Sequence, residues 1–390
     1  MRYTPHAYQR RAQSFIEENP YCGLFLDMGL GKTVTTLTAL RHLMDAMEVE
    51  KVLVIAPKSV ALNTWSNETE KWDHLRDLRL SIVMGTAAQR LKALQSDADI
   101  YVTNRDNVCW LVEQDVWDFD TVVIDESSSF KNFQSKRYKA LTKMRPQIRR
   151  LILLTGTPAP NGLMDMWAQV KLLDRGERLG RYISHYRETY FTAGARNGAV
   201  IYEYKPRPGA KEAISRKISD ICLSMQASDY LELPSIVDAG LDLRLPDLDA
   251  YRRFEKVAVM DLPDGSEIEA VTAVSLTNKL LQFASGAIYD SDHTWHEVHD
   301  TKTEALCDII EATHEPVLVY YNYTHELDRI CAAIPDTVSF HGEPDLLSEW
   351  NERPSCGLLA TPALRQRREK RQTTAYSSLL SPEKQAEPLR

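Results

Sequence analysis

Residues 23–33, Gly-Leu-Phe-Leu-Asp-Met-Gly-Leu-Gly-Lys-Thr, constrain this chain more than any other stretch. An apolar run (Leu24, Phe25, Leu26) enters a turn built on Gly29 and Gly31, and Val34-Thr-Thr-Leu-Thr-Ala-Leu-Arg follows with helical character. Strand, glycine turn and helix N-terminus together make an anion cradle. The glycines let backbone N–H groups turn inward, Lys32 supplies a point charge, and the Thr33 hydroxyl is a ligand for Mg²⁺. Leu26 stands where the eight-residue phosphate-loop pattern has its first glycine, so the argument needs a second feature.

That feature is Thr121-Val-Val-Ile-Asp-Glu-Ser-Ser, an apolar run ending in two adjacent acids. A strand there presents Asp125 and Glu126 at its C-terminal edge, where parallel α/β sheets bind ligands. One carboxylate can hold Mg²⁺ and its neighbour can take the proton of an attacking water. A phosphate loop followed by such a strand predicts nucleotide binding.

The 390 residues allow two or three domains with full cores. No apolar run approaches the roughly 20 residues of a membrane-spanning helix, and Met-Arg-Tyr-Thr-Pro-His lacks the apolar core of a signal peptide. Cys22, Cys109, Cys222, Cys307, Cys331 and Cys356 are scattered without close pairs, which suits reduced thiols and a cytoplasmic protein, not a disulfide framework or zinc site. The net charge of −8 argues against a broadly basic surface. Residues 131–150 nevertheless hold eight Lys/Arg and no acid. Such a run is either a solvated helix face or a contact for a phosphate backbone beside the nucleotide.

From 20 to 175, candidate strands (23–27, 51–56, 80–84, 99–102, 119–124, 150–154) alternate with candidate helices (32–46, 60–73, 86–95, 105–114, 135–144, 162–174). This alternation predicts crossover units and a mostly parallel, doubly wound sheet. The strand signal fades from 175 to 300, where 175–181 and 194–211 read as loops and 211–227 and 247–284 as helices. After 300 come helix 303–313, strand 316–321, helix 324–333, strand 336–340, helix 345–351 and strand 356–360, the start of a second α/β sheet. The end of the chain is polar and basic without apolar period, which predicts a disordered tail.

With these residues laid out, the chain resembles the Swi/Snf-type branch of superfamily-two helicase-like ATPases, in particular its compact bacteriophage members. Tyr8-Gln9 is similar to the branch's adenine-reading element, and Asp27-Met-Gly-Leu-Gly-Lys-Thr matches its phosphate loop, which dispenses with the first glycine. Ala56-Pro-Lys-Ser with Trp65, and Thr103-Asn104, are similar to motifs that contact the DNA backbone in relatives. Asp125-Glu126 with Phe130-Lys131-Asn132, Leu154-Thr-Gly-Thr-Pro-Ala-Pro-Asn and Val317-Leu-Val-Tyr-Tyr-Asn-Tyr follow in family order.

The resemblance implies a RecA-like phosphate-loop ATPase domain over 1–174, a mainly helical insertion over 175–300, a partial second RecA-like domain over 301–362 and a tail over 363–390. It implies ATP and Mg²⁺ held by Tyr8, Gln9, Met28, Gly29, Leu30, Gly31, Lys32 and Thr33, with Thr33 and Asp125 on the metal. Lys32, Asp125 and Glu126 would be catalytic, and Thr155, Gly156 and Thr157 would couple hydrolysis to domain movement. Lys58, Ser59, Thr103, Asn104, Lys131 and Asn132 would contact double-stranded DNA across both sheet domains of a monomer, without a membrane.

Two departures stand out. Ser127-Ser128 replace the Ala-His that often follows the two acids, and the Gly-Leu-Asn-Leu and arginine-finger motifs do not follow Ala363. The second departure carries the expectation of an early end to the matching region, as after a frameshift, and of slow turnover. The implied activity is an ATP-dependent duplex-DNA translocase or remodeller. The alternative is a nucleotide-gated DNA- or partner-binding protein with little catalysis. A kinase using the same loop leaves Thr155-Gly-Thr-Pro and the second sheet without a role.

Overall fold

The computed structural model describes the chain except residues 115–116, 195, 198–199, 202, 232–238, 262–266, 313–316, 336, 341–357, 361–373 and 378–390. It forms two compact units, Met1–Pro234 and Ser235–Arg390. The first unit thus runs well past residue 174.

Six strands of the first unit arise where the apolar runs lie: β1 (Tyr21–Leu26), β2 (Val52–Ala56), β3 (Leu80–Val83), β4 (Ile100–Asn104), β5 (Thr121–Asp125) and β6 (Arg150–Thr155). A seventh, β7 (Cys222–Met225), completes an all-parallel sheet in the order β7-β1-β6-β5-β2-β4-β3. Alternate residues of the central strands serve two separate cores. Leu53, Ile55, Val122, Ile124, Leu151 and Leu153 face one, and Val52, Val54, Val123, Ile152 and Leu154 face the other. Strands buried on both faces must be apolar throughout, which is why these runs do not alternate.

Helices α1 (Ala7–Glu18), α2 (Lys32–Asp45) and α3 (Trp65–Lys71) cover the second face, contributing Ile16, Leu37, Leu40 and Trp65 to its core. The first face is covered by α5 (Val108–Glu113), α6 (Lys136–Met144), α7 (Met166–Asp174), α8 (Ile183–Tyr190) and α9 (Ala210–Ile218). A further helix, α4 (Ala87–Leu94), starts from a capping box in which Thr86 accepts from the Gln89 N–H. The result is a three-layer α/β/α domain with its strand C-termini on one edge.

Two expectations fail here. The helix expected over 211–227 is only Ala210–Ile218, and the mostly apolar Cys222-Leu-Ser-Met is the edge strand beside β1. A four-residue segment is too short to establish a period of its own, and its pairing partner decides its conformation. Gly23 enables that pairing, because a side chain at Gly23 would meet Cys222 Sγ and the Phe25 ring at 3.1 Å. Helices α1 and α8 also lie where no helix was expected.

The basic run 131–150 divides. Arg145 is buried and donates to the carbonyls of Leu172 and Leu173 at the end of α7 and of Ile148. Arg150 is buried and donates to Ile16 O and Glu17 O at the end of α1. Both satisfy helix-terminal carbonyls that have no intrahelical donor. Lys131 and Arg137 pair with Asp165 and Asp106. Only Lys136, Lys139, Lys143 and Arg149 are exposed without an ion pair among the described residues.

The second unit contains α10 (Leu248–Val257), α11 (Ala273–Ala284), α12 (Thr301–Ala312) and α13 (Thr324–Ala333). The segment read as one long helix over 247–284 is interrupted by the hairpin Val259–Asp261 with Glu267–Glu269, and a second hairpin, Ala287–Tyr289 with Trp295–Glu297, follows α11. The section expected to be mainly helical is therefore mixed. Strands β8 (Val317–Tyr320), β9 (Val338–Phe340), β10 (Leu358–Ala360) and β11 (Thr374–Ser377) form a parallel sheet in the order β9-β10-β8-β11. Strand β11 lies within the stretch expected to be a disordered tail. The helix expected over 345–351 lies outside the described residues.

Replacing Arg145 by Met leaves the buried carbonyls of Leu172 and Leu173 without their donor, while Ile148 O keeps the Tyr21 hydroxyl. We expect a loss of about 2–4 kcal/mol, read as a lowered thermal midpoint, against a change within about 0.5 kcal/mol for the exposed Lys143→Met.

Candidate nucleotide-binding site

The loop after β1 turns on two left-handed glycines, Gly29 (φ 85°) and Gly31 (φ 75°), and Gly31 caps α2. A side chain at Gly31 would also stand 2.6 Å from Gln9 Nε2, so both conformation and space demand glycine. Met28 and Leu30 complete the loop, and Thr33 lies in the first turn of α2. Lys32 is half-buried, and its Nζ donates to Leu26 O (2.8 Å) and Asp27 O (3.3 Å). Burial lowers the Lys32 pKa, opposed by the carboxylates of Glu126, Asp125 and Asp27.

β5 delivers Asp125 and Glu126 to the same edge. Asp125 accepts from Trp65 Nε1 at 3.2 Å and from the Glu126 N–H at 3.1 Å. Burial, reinforced by the neighbouring Glu126 charge, still pushes it up to about 6, against the opposing pull of Trp65 and Lys32. Glu126 sits in the left-handed region (φ 53°, ψ 59°), an arrangement that costs about 1–2 kcal/mol for a non-glycine residue. Thr155 Oγ1 donates to Glu126 Oε2 at 3.3 Å and accepts from the Thr157 N–H at 3.0 Å. At Gly156, an added Cβ would lie 3.7 Å from Lys32 Nζ. The phosphate loop, the two acids and Thr155-Gly-Thr therefore converge.

Tyr8 is buried and packs against His6 (5.4 Å between ring centroids) and Tyr230 (4.9 Å), which restricts its access to a ligand. Gln9 Oε1 accepts from the His6 N–H at 2.9 Å, and its Nε2 donates to Leu30 O at 3.4 Å, tying the N-terminal segment to the loop. Tyr230 and its neighbours are absent from the sequence expectation. The Ala227 N–H donates to Asp27 Oδ2 at 2.9 Å, and Leu231 lies 3.8 Å from the Cβ position of Gly29. The signal that could have found them is β7, whose pairing with β1 brings residues 226–231 over the loop.

The residues expected on DNA separate into two groups. Lys58 and Asn132 are exposed, and Ser59 and Lys131 partly so, all near strand C-termini. Thr103 and Asn104 are buried in structural bonds: Thr103 Oγ1 donates to Val83 O, and Asn104 Oδ1 accepts from the Asn107 N–H. Asp125 and Thr33 offer the hard oxygen donors that Mg²⁺ takes alongside waters and substrate phosphates. Five cysteines are unbridged among the described residues, and no helix there is long and apolar enough to cross a membrane.

Asp125 binds a proton more tightly in the native than in the unfolded chain, whose ordinary value is 3.8. Stability of the ligand-free protein therefore falls as pH rises from about 4 to about 6, by up to about 3 kcal/mol. Denaturation at several pH values is expected to show Asp125→Asn flattening that segment. Trp65→Phe removes a donor to the ionised form and is expected to shift the segment upward.

Comparison with known proteins agrees with this geometry. Residues 8–187 match the family model of the SNF2-related domain. A protein designated p41 of Acyrthosiphon pisum secondary endosymbiont phage 1 is 37% identical over 374 residues, covering 93% of this chain and 81% of that protein. The DNA repair and recombination protein RAD54-like of Gallus gallus is 29% identical over 297 residues, 69% of this chain and 39% of the relative. The solved Sulfolobus solfataricus SWI2/SNF2 ATPase core in complex with dsDNA shares the fold, with a TM-score of 0.51 at 21% identity over 93% of this chain and 78% of that chain. This chain belongs to the SNF2-related family of helicase-like ATPases.

Proposed function

We propose that the chain is an ATP-dependent motor on duplex DNA, a translocase or remodeller that hydrolyses ATP with Mg²⁺. The observation that carries this reading is the meeting of Lys32, Asp125, Glu126 and Thr155 on one sheet edge. The amides of Met28–Thr33 and Lys32 would hold the phosphates, with Gln9 at the base. Mg²⁺, held by Thr33 and Asp125, would neutralise charge on the transferred phosphoryl group. Glu126, oriented by Thr155, would align and deprotonate the attacking water. Thr155–Thr157 would report the state of that carboxylate to the loop after β6.

Lys58, Ser59, Lys131 and Asn132 would meet DNA phosphates at the strand C-termini. Thr103 and Asn104 would shape that surface from beneath. Lys136, Lys139 and Lys143 share one face of α6 by their spacing, and we assign this stripe to the same backbone contact. The reading keeps a monomer that acts in the cytoplasm.

Displacement of the third strand from a DNA triplex tests movement along a duplex. We expect displacement that requires ATP and is lost in Glu126→Gln, while ATP-gated duplex binding without displacement would leave a nucleotide-gated binding protein instead. Replacing Lys136, Lys139 and Lys143 by Glu is expected to weaken duplex binding across sequences and to reduce the steepness of its salt dependence.

A further inference from the structure

A buried bridge joins the turn carrying Glu126 to the loop after β6, and none of the steps above uses it. Ser127 Oγ donates to Gln169 Oε1 at 2.8 Å, and both residues are fully buried. Gln169 Nε2 donates to Pro158 O at 2.6 Å and to Asp165 O at 3.0 Å. Both of those carbonyls can only accept, so the amide nitrogen must face them and the amide oxygen must face Ser127. The other buried residues of α7 are Met166, Trp167, Ala168, Val170, Leu172 and Leu173. A leucine at 169 would fill such a position without needing partners, so a fully satisfied glutamine there points to a use for its hydrogen bonds.

The bridge has an exposed end. Asp165, which precedes α7, accepts from Lys131 Nζ at 3.2 Å and from the Asn161 N–H at 2.9 Å. Lys131 is the partly exposed cation placed above on a DNA phosphate. A phosphate would compete with Asp165 for that ammonium, which would give the entrance of α7 a second arrangement. Gln169 lies one helical turn further along and holds Pro158 and Ser127 together. The same loop already touches Glu126 through Thr155. The loop thus grips two successive residues, Glu126 and Ser127, and a shift at Asp165 reaches both.

We infer that Gln169 is a positioning residue that couples the Lys131–Asp165 pair to Glu126 through Ser127 and Pro158. The inference rests on the proposed DNA-stimulated ATPase. It adds a specific device: occupancy of Lys131 by a phosphate is transmitted by a buried side-chain bridge to the carboxylate that orients water.

The test measures ATP turnover with and without duplex DNA, and the affinity of a non-hydrolysable ATP analogue with and without the same duplex. It uses wild type, Ser127→Ala, Gln169→Leu and Ser127→Thr, each with a thermal midpoint. We expect the ratio of stimulated to unstimulated turnover to fall about tenfold in Ser127→Ala and Gln169→Leu. The gain in analogue affinity caused by DNA should shrink in parallel, and Ser127→Thr, which keeps the hydroxyl, should recover most of the ratio. Lowered thermal midpoints with an unchanged ratio would show a packing role and overturn the inference alone. If Gln169→Leu does not fold, Ser127→Ala decides, since it keeps both bonds from Gln169 to the carbonyls. Wild type without DNA stimulation would overturn the ATPase reading, and this inference with it.

Discussion

The buried negative charge at the end of β5 is the constraint around which the first unit is organised. Asp125 and Glu126 are adjacent, and Asp125 is almost fully enclosed, so its ionised form needs compensation. Three different parts of the chain provide some. Trp65, on the helix after β2, donates to Asp125; Lys32, after β1, contributes a positive charge; Thr155, at the end of β6, donates to Glu126. Their combined effect falls short, because Asp125 still sits at about 6. A carboxylate pair that remains short of positive charge after folding suits a hard divalent cation, and the left-handed backbone of Glu126 is strain kept at that point.

Parallel topology makes this convergence possible. Each of the strands β1, β2, β5 and β6 ends on the same edge, so segments more than a hundred residues apart in sequence meet there. The same edge carries Lys58, Lys131 and Asn132, which sets candidate phosphate-backbone contacts beside the candidate nucleotide site. Asp165 lies between these two functions, pairing with Lys131 on one side and leading into the helix of Gln169 on the other.

The six central strands were legible because strands buried on both faces leave continuous apolar runs with glycine or polar punctuation. The phosphate loop and the acid pair were legible because positive φ and phosphate binding admit few residue types. β7 was not, since four residues, three of them apolar, after an amphipathic helix take their conformation from the free edge of β1. The basic run was misleading for a physical reason: Arg145 and Arg150 are spent on helix-terminal carbonyls, and sequence spacing does not separate a buried guanidinium from an exposed one. Thr103 and Asn104 likewise have the residue types of a phosphate contact, but their side chains bond the protein. The Ser127–Gln169 bridge links residues 42 apart, a pairing no local pattern announces.

ATP turnover in the presence and absence of duplex DNA, compared between the intact chain and Lys32→Ala, tests the central claim most directly. The account predicts hydrolysis that duplex DNA accelerates and that Lys32→Ala abolishes. Turnover indifferent to DNA, or surviving the loss of Lys32, would contradict it.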